Sequence, residues 1–144
     1  MPEKETLERA RKDKREGKAA STQAGEFVRE EIEHIREGKH GARSTKQAIA
    51  IGLSKARRAG VDLPPSQGSS EETKEQAERD LSKAKSRKRP SATRSRATRK
   101  ALKREGHSAA SKQALSRQAR SAAKKRSAAS RSRSAKKAAA TRKK

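Results

Sequence analysis

The chain has 144 residues, 28% hydrophobic and 40% charged, with 41 Lys/Arg against 17 Asp/Glu and no cysteine. That composition allows one small domain at most and excludes disulfide staples and thiolate metal sites. It also excludes a large buried core, because little apolar area opposes the entropy of ordering the chain.

The charge is unevenly placed. Residues 1–80 hold 17 basic and 16 acidic residues, while residues 81–144 hold 24 basic residues and Glu105 alone. The large apolar side chains are divided the other way. Leu7, Phe27, Val28, Ile32, Ile35, Ile49, Ile51, Leu53, Val61 and Leu63 all precede residue 64; only Leu81, Leu102 and Leu115 follow. The first part is expected to fold and the second to repel itself until a polyanion neutralises it.

In chain order, residues 3–16 read as a charged surface helix closed by Gly17, with Leu7 its only large anchor. Residues 22–37 read as a second helix capped by Ser21 or Thr22. Val28, Ile32 and Ile35 make one apolar stripe, with Phe27 and Ala24 beside it and Arg29, Glu30, Glu33 and Arg36 facing water. Ser44-Thr45 and Gly60 bracket a third helix over 45–59, with Ile49, Leu53 and Ala56 as its stripe. Gly52 costs that helix about 1 kcal/mol against alanine, which predicts a close approach to the preceding helix. Ile51 points elsewhere, which reads either as a broad buried face or as a contact with a partner chain, a homodimer through the Ile49/Ile51/Leu53 helix.

The stretch 61–70, with Pro64-Pro65, is a linker. Ser69 and Glu72 form a capping-box signature for a charged helix running to Arg89, where Pro90 stops it. Beyond Ser91 the composition collapses to Ser, Ala, Lys, Arg and Thr, a low-complexity tail expected to be largely disordered when free. The fold class is therefore all-α: a small, marginal helical hairpin or bundle in 1–63, a linker over 64–70, a charged helix over 71–89 and a basic tail over 90–144. Three segments, starting at Arg15, Arg36 and Arg104, share an Arg-Glu-Gly, polar loop, Ser/Thr, Gln-Ala pattern. They read either as a repeat or as chance recurrence in a biased composition.

Chemistry-bearing patterns are few. His34, His40 and His107 lack HxxxH spacing and cysteine partners, so no metal site is expected. Glu30, Glu31 and Glu33 read as a solvated helix face. No phosphate loop or nucleophile elbow appears, so neither an enzyme nor a cofactor is expected. The densely charged amino terminus has no apolar run, so no leader or membrane span is expected. A helix-turn-helix presenting Thr45, Lys46 and Gln47 needs a shorter connection than 39–43 supplies.

The basic tail carries the functional signal. Its candidate phosphate contacts are Arg87, Lys88, Arg89, Arg94, Arg96, Arg99, Lys100, Lys103, Arg104, Lys112, Arg117, Arg120, Lys124, Lys125, Arg126, Arg131, Arg133, Lys136, Lys137, Arg142, Lys143 and Lys144. With Phe27 the only aromatic residue, base stacking is nearly unavailable. The expected partner is thus double-stranded DNA, bound without sequence preference, with RNA as the alternative. RSTKQAIAIGLSKARRAG, residues 43–60, resembles an uncharacterised family of small basic bacterial proteins, a resemblance covering roughly residues 26–65. It implies a bacterial, cytoplasmic setting and no particular activity. The Ser/Ala/Lys/Arg ending is similar to tails of bacterial histone-like proteins and of linker histones, without the regular prolines of the latter. The expected role is a nucleoid-associated or histone-like accessory protein. The alternatives are a protein-interaction module with an RNA- or ribosome-associating tail, and a stress-related solubilising protein.

Overall fold

The computed structural model describes residues 2–86 and 88–143, and every regular element among them is helical. The helices are α1 Lys4–Arg15, α2 Ala20–Arg36, α3 Thr45–Arg58, α4 Glu71–Lys85, α5 Ala92–Lys103, α6 Lys112–Lys124 and α7 Ala128–Arg142, with a 3-10 turn at Ser108–Ala110 before α6.

The centre is α2 packed on α3. The face that α3 buries is small: Ala48 and Ala56 are fully buried and Gly52 sits between them one turn from each. A Cβ added at Gly52 would lie 2.6 Å from Val28 Cα, so the α2 backbone rests directly on this glycine. The close approach inferred from sequence is there. Of the stripe Ile49, Leu53 and Ala56, only Ala56 is fully buried; Ile49 and Leu53 are half-buried, and the ridge Ala48–Gly52–Ala56 takes the centre. Small side chains let two backbones come together, at the cost of leaving the larger aliphatics on the flanks.

Two clusters lie on either side of this crossing. Phe27, Ala24, Ala10, Ala56 and Val61 form one, bordered by Leu7, Leu53 and Leu63. Ile32, Ile35, Ala42, Ala48, Ala109 and Ala110 form the other, bordered by Val28 and Leu115. The second cluster therefore draws on the basic half of the chain. Arg57 Nε donates to the Leu63 carbonyl at 2.8 Å and holds the start of the linker against α3.

Charged groups dock the outer helices. On α1, Arg9 Nε donates to Glu26 Oε2 of α2 at 2.6 Å. On α4, Ala77 and Asp80 are buried against α3. Asp80 accepts from Ser54 Oγ at 2.7 Å, Arg58 Nε at 2.9 Å and Gln76 Nε2 at 3.2 Å. Burial pushes the Asp80 carboxyl up, but these three donors and the Arg58 charge together hold it below its ordinary value.

Several sequence expectations are corrected. α2 starts at Ala20 rather than at 22, and its N-cap, Ala19, has no side-chain cap; Ser21 and Thr22 lie inside the helix. α4 is capped by Ser70, not Ser69, and ends at Lys85 rather than Arg89. Glu30 and Glu31 do not face water: they are 2% and 1% exposed.

The largest correction concerns the tail. Instead of being largely disordered it forms α5, α6 and α7. Ser91, Ser111 and Ser127 each accept the N–H three residues on, at 3.5, 3.1 and 3.1 Å. Serine at each start, followed by alanine and long basic side chains of high helix propensity, is sufficient local grammar. It offsets like-charge repulsion that costs only tenths of a kcal/mol per pair.

Two predictions test this packing. Gly52→Ala lowers the thermal midpoint despite its better helix propensity, whereas Gly25→Ala, which meets nothing within 4 Å, stabilises by about 0.5–1 kcal/mol; circular-dichroism melts read both. Asp80, its folded pKa depressed, contributes stability that is fully present above its unfolded pKa of about 3.9 and is lost as pH falls through the lower folded value. Urea unfolding from pH 6 down to 2 therefore shows a loss that is smaller in Asp80→Asn.

Candidate nucleic-acid interface

The basic half is attached to the helical head by a pairing of two loops. The Gly41 N–H donates to the Leu102 carbonyl at 2.9 Å and the Ala42 N–H to the Gly106 carbonyl at 3.0 Å. Thr45 Oγ1 donates to the Ala109 carbonyl at 2.7 Å, and Arg36 Nε to the Ala110 carbonyl at 3.0 Å. A Cβ on Gly41 would fall 2.1 Å from the Glu105 carbonyl oxygen, so only glycine fits. These loops are the second and third Arg-Glu-Gly segments. Each is followed by a serine-capped helix, Ser44 before α3 and Ser111 before α6. They differ locally, for Gly38 has φ +77° while Gly106 is outside the left-handed region.

The pairing removes one sequence option. Thr45 is buried and committed to Ala109, so it cannot serve as a base-reading residue, while Ser44 and Lys46 on either side of it stay exposed.

The same pairing creates a groove of about 440 Å³ between the starts of α3 and α6. Arg43, Lys46 and Arg117 line it together with Ser44, Ser108, Ser111 and Ser121. Two helix amino ends open near it, each with a partial positive charge that favours anions.

The candidate contacts divide by position. Lys88 and Arg89 lie between α4 and α5. On α5, Arg96, Arg99, Lys100 and Lys103 fall at i, i+3, i+4 and i+7 and share one face, with Arg94 on the opposite side; Arg104 caps the helix. On α6, Arg117, Arg120 and Lys124 fall on one face, with Lys112 at the start and Lys125 and Arg126 after it. On α7, Arg133, Lys136 and Lys137 form a shorter stripe, flanked by Arg131, Arg142 and Lys143. All of these are exposed. Arg87 and Lys144 lie outside the described residues.

Among the described residues, none of these twenty has a carboxylate partner. Glu105, the only acid after residue 80, pairs weakly with Arg43 of the head at 3.9 Å. Arg126 is tied locally, to Ser130 and Ser134. Sequence counting located this charge; it gave no sign that helices would sort it into faces, because a disordered tail has none.

Sequence reasoning leaves Arg43 out of the candidate contacts and considers Lys46 only as part of a helix-turn-helix, not of this groove. The signal was available in the matching serine caps of the two later Arg-Glu-Gly segments. It needed the additional knowledge that the loops touch.

Among the described residues, no helix is long and apolar enough to cross a membrane. A family of unknown function (DUF6496) matches residues 11–67, which takes in the end of α1, all of α2 and α3 and the start of the linker and stops short of α4 to α7. No curated protein and no solved structure matches the chain.

Gly41→Ala is expected to detach residues 102–115 from the head while leaving α2 and α3 packed. Hydrogen exchange reads this as lost protection at the Gly41 and Ala42 amides with unchanged protection inside α2.

Proposed function

We propose that this protein binds duplex DNA without sequence preference, through the basic faces of α5, α6 and α7 held by the α1–α4 head, as a nucleoid-associated or histone-like accessory protein. The observation that carries the reading is the set of twenty exposed Lys and Arg residues with no acidic partner among the described residues. A solvated helix face ordinarily intersperses acids, as α1 and α4 do.

The mechanism is phosphate neutralisation and counterion release. Duplex DNA carries one charge per about 1.7 Å of axis, and each Lys or Arg that neutralises a phosphate frees counterions. The stripes Arg96–Lys103 on α5 and Arg117–Lys124 on α6 each run for about 12 Å of helix axis, comparable with the width of the major groove. The groove bounded by Arg43, Lys46 and Arg117 offers one further phosphate position. Phe27 is 1% exposed, which leaves no aromatic surface for stacking and supports duplex over single strands. The half-exposed Ile49 and Ile51 on α3 support a second role for the head, the pairing of two copies.

Anisotropy titration of the full chain with random duplex DNA across a salt series tests the reading. Affinity falls about 10³–10⁵-fold between about 50 and 200 mM salt if six to ten phosphates are neutralised. Replacing Arg96, Arg99, Lys100 and Lys103 by Gln flattens the log–log slope by about 1 for each phosphate-neutralising cation removed. A flat salt dependence, or RNA outcompeting duplex DNA at equal phosphate, contradicts it.

A further inference from the structure

The head contains a second polar constellation that nucleic-acid binding does not use. Glu31 and His34 share one face of α2, and the chain reverses through Gly38 to bring His40 back over them. One ligand-type atom from each of Glu31, His34 and His40 lies within 4.8 Å of the others. Glu31 is 1% exposed, and the side chains of both histidines are 13% exposed.

The two imidazoles are oriented as metal ligands are. His40 Nδ1 lies 2.9 Å from the Gly41 carbonyl, an acceptor only, so that nitrogen carries the proton. His34 Nε2 lies 2.9 Å from Glu3 Oε1, and an ionised carboxylate likewise places the proton there. Each histidine therefore turns its remaining nitrogen towards Glu31: His40 Nε2 is 3.1 Å from Oε2, and His34 Nδ1 is 4.0 Å from Oε1. A carbonyl or carboxylate on one nitrogen is the arrangement that fixes metal-binding histidines; the other nitrogen of His40 now shares a proton with Glu31, which a metal ion would displace.

The local charge points the same way. Lys39 pairs with Glu3 and Glu37, and Lys55 with Glu31, while Glu30 has no ammonium partner among the described residues. Glu30, 2% exposed, sits beside His34 with Oε1 3.8 Å from Nε2. Its Oε2 is buried without a hydrogen-bond partner among the described residues. A buried, unpaired carboxylate oxygen is costly unless a cation compensates it. Lys55 holds Oε1 of Glu31 and leaves Oε2 for a ligand bond.

We propose that Glu31 Oε2, His34 Nδ1 and His40 Nε2 bind a divalent ion of the zinc class, oriented by Glu3 and the Gly41 carbonyl. A tetrahedral ion with bonds of about 2.0–2.1 Å sets its donor atoms about 3.3 Å apart, which small side-chain rotations reach from the present spacing. Two imidazoles with one carboxylate suit zinc or cobalt over calcium and magnesium, which prefer all-oxygen sets. Three protein ligands leave a fourth position for water or an external group. The ion would tie the loop that grips the basic half to α2.

The test uses the full chain, chelator-stripped, titrated with Zn²⁺ and with Co²⁺. One equivalent binds at micromolar concentration or tighter, Co²⁺ develops the visible bands of a tetrahedral site, and the imidazole NMR signals of His34 and His40 move while His107 does not. His34→Gln and His40→Gln each weaken binding at least tenfold, Glu3→Gln weakens it about tenfold, and His107→Gln leaves it unchanged. Saturation only at millimolar metal overturns the proposal, as does equal perturbation of His107. Binding unchanged in folded His34→Gln or His40→Gln also overturns it. Should those variants fail to fold, the wild-type imidazole signals decide.

Discussion

The contact on which the rest of the structure depends is the crossing of α2 and α3 at Gly52. With no Cβ there, and with Ala48 and Ala56 one turn away on either side, the α2 backbone at Val28 rests on α3. A chain with so few large aliphatic residues has little other way to bury two helices. It shortens the distance between backbones rather than filling a wide gap with side chains. The two hydrophobic clusters flank this crossing, and α1 and α4 are then attached mainly through polar groups, Arg9 to Glu26 and Asp80 to Ser54 and Arg58.

A second glycine constraint joins the charge-balanced head to the basic half. Gly41 lets residues 39–44 lie against residues 102–110, and Ala109 and Ala110 complete a cluster begun by Ile32 and Ile35. The basic half thus begins from an anchored segment. Helical order in α5 to α7 gives its charge a direction, since residues three and four apart share a face. Ordering before binding also lowers the entropy lost on association, compared with a chain that must fold on its partner.

Much of this is legible from the residues. Ser44 as a cap, Gly52 as a contact and Phe27 as core follow from local grammar and periodicity, and all three stand in the structure. What is not legible depends on groups distant in sequence. Glu30 and Glu31 look solvated because carboxylates on amphipathic helices usually are; their burial rests on the Glu3 N–H, on Lys55 and on His40, brought in from other segments. The Glu31–His34–His40 arrangement is invisible to a search for paired histidines, since its first ligand is an acid and its last lies beyond a helix-ending glycine. The tail misleads because its biased composition masks the repeated serine caps that start its helices. For the candidate site, the charge is readable in full, but its sorting into faces and the groove beside α3 are not.

The central claim is that a closely packed head presents preformed basic helices to a polyanion. Amide hydrogen exchange of the full chain, with and without random duplex DNA at physiological salt, tests it most directly. Preformed helices predict measurable protection in α5 and α6 before DNA is added. Added DNA then increases protection along α5 to α7 and at the starts of α3 and α6, with the α2–α3 crossing unchanged. Random-coil exchange throughout residues 90–143 in the free protein, or DNA-induced protection confined to the head, would contradict it.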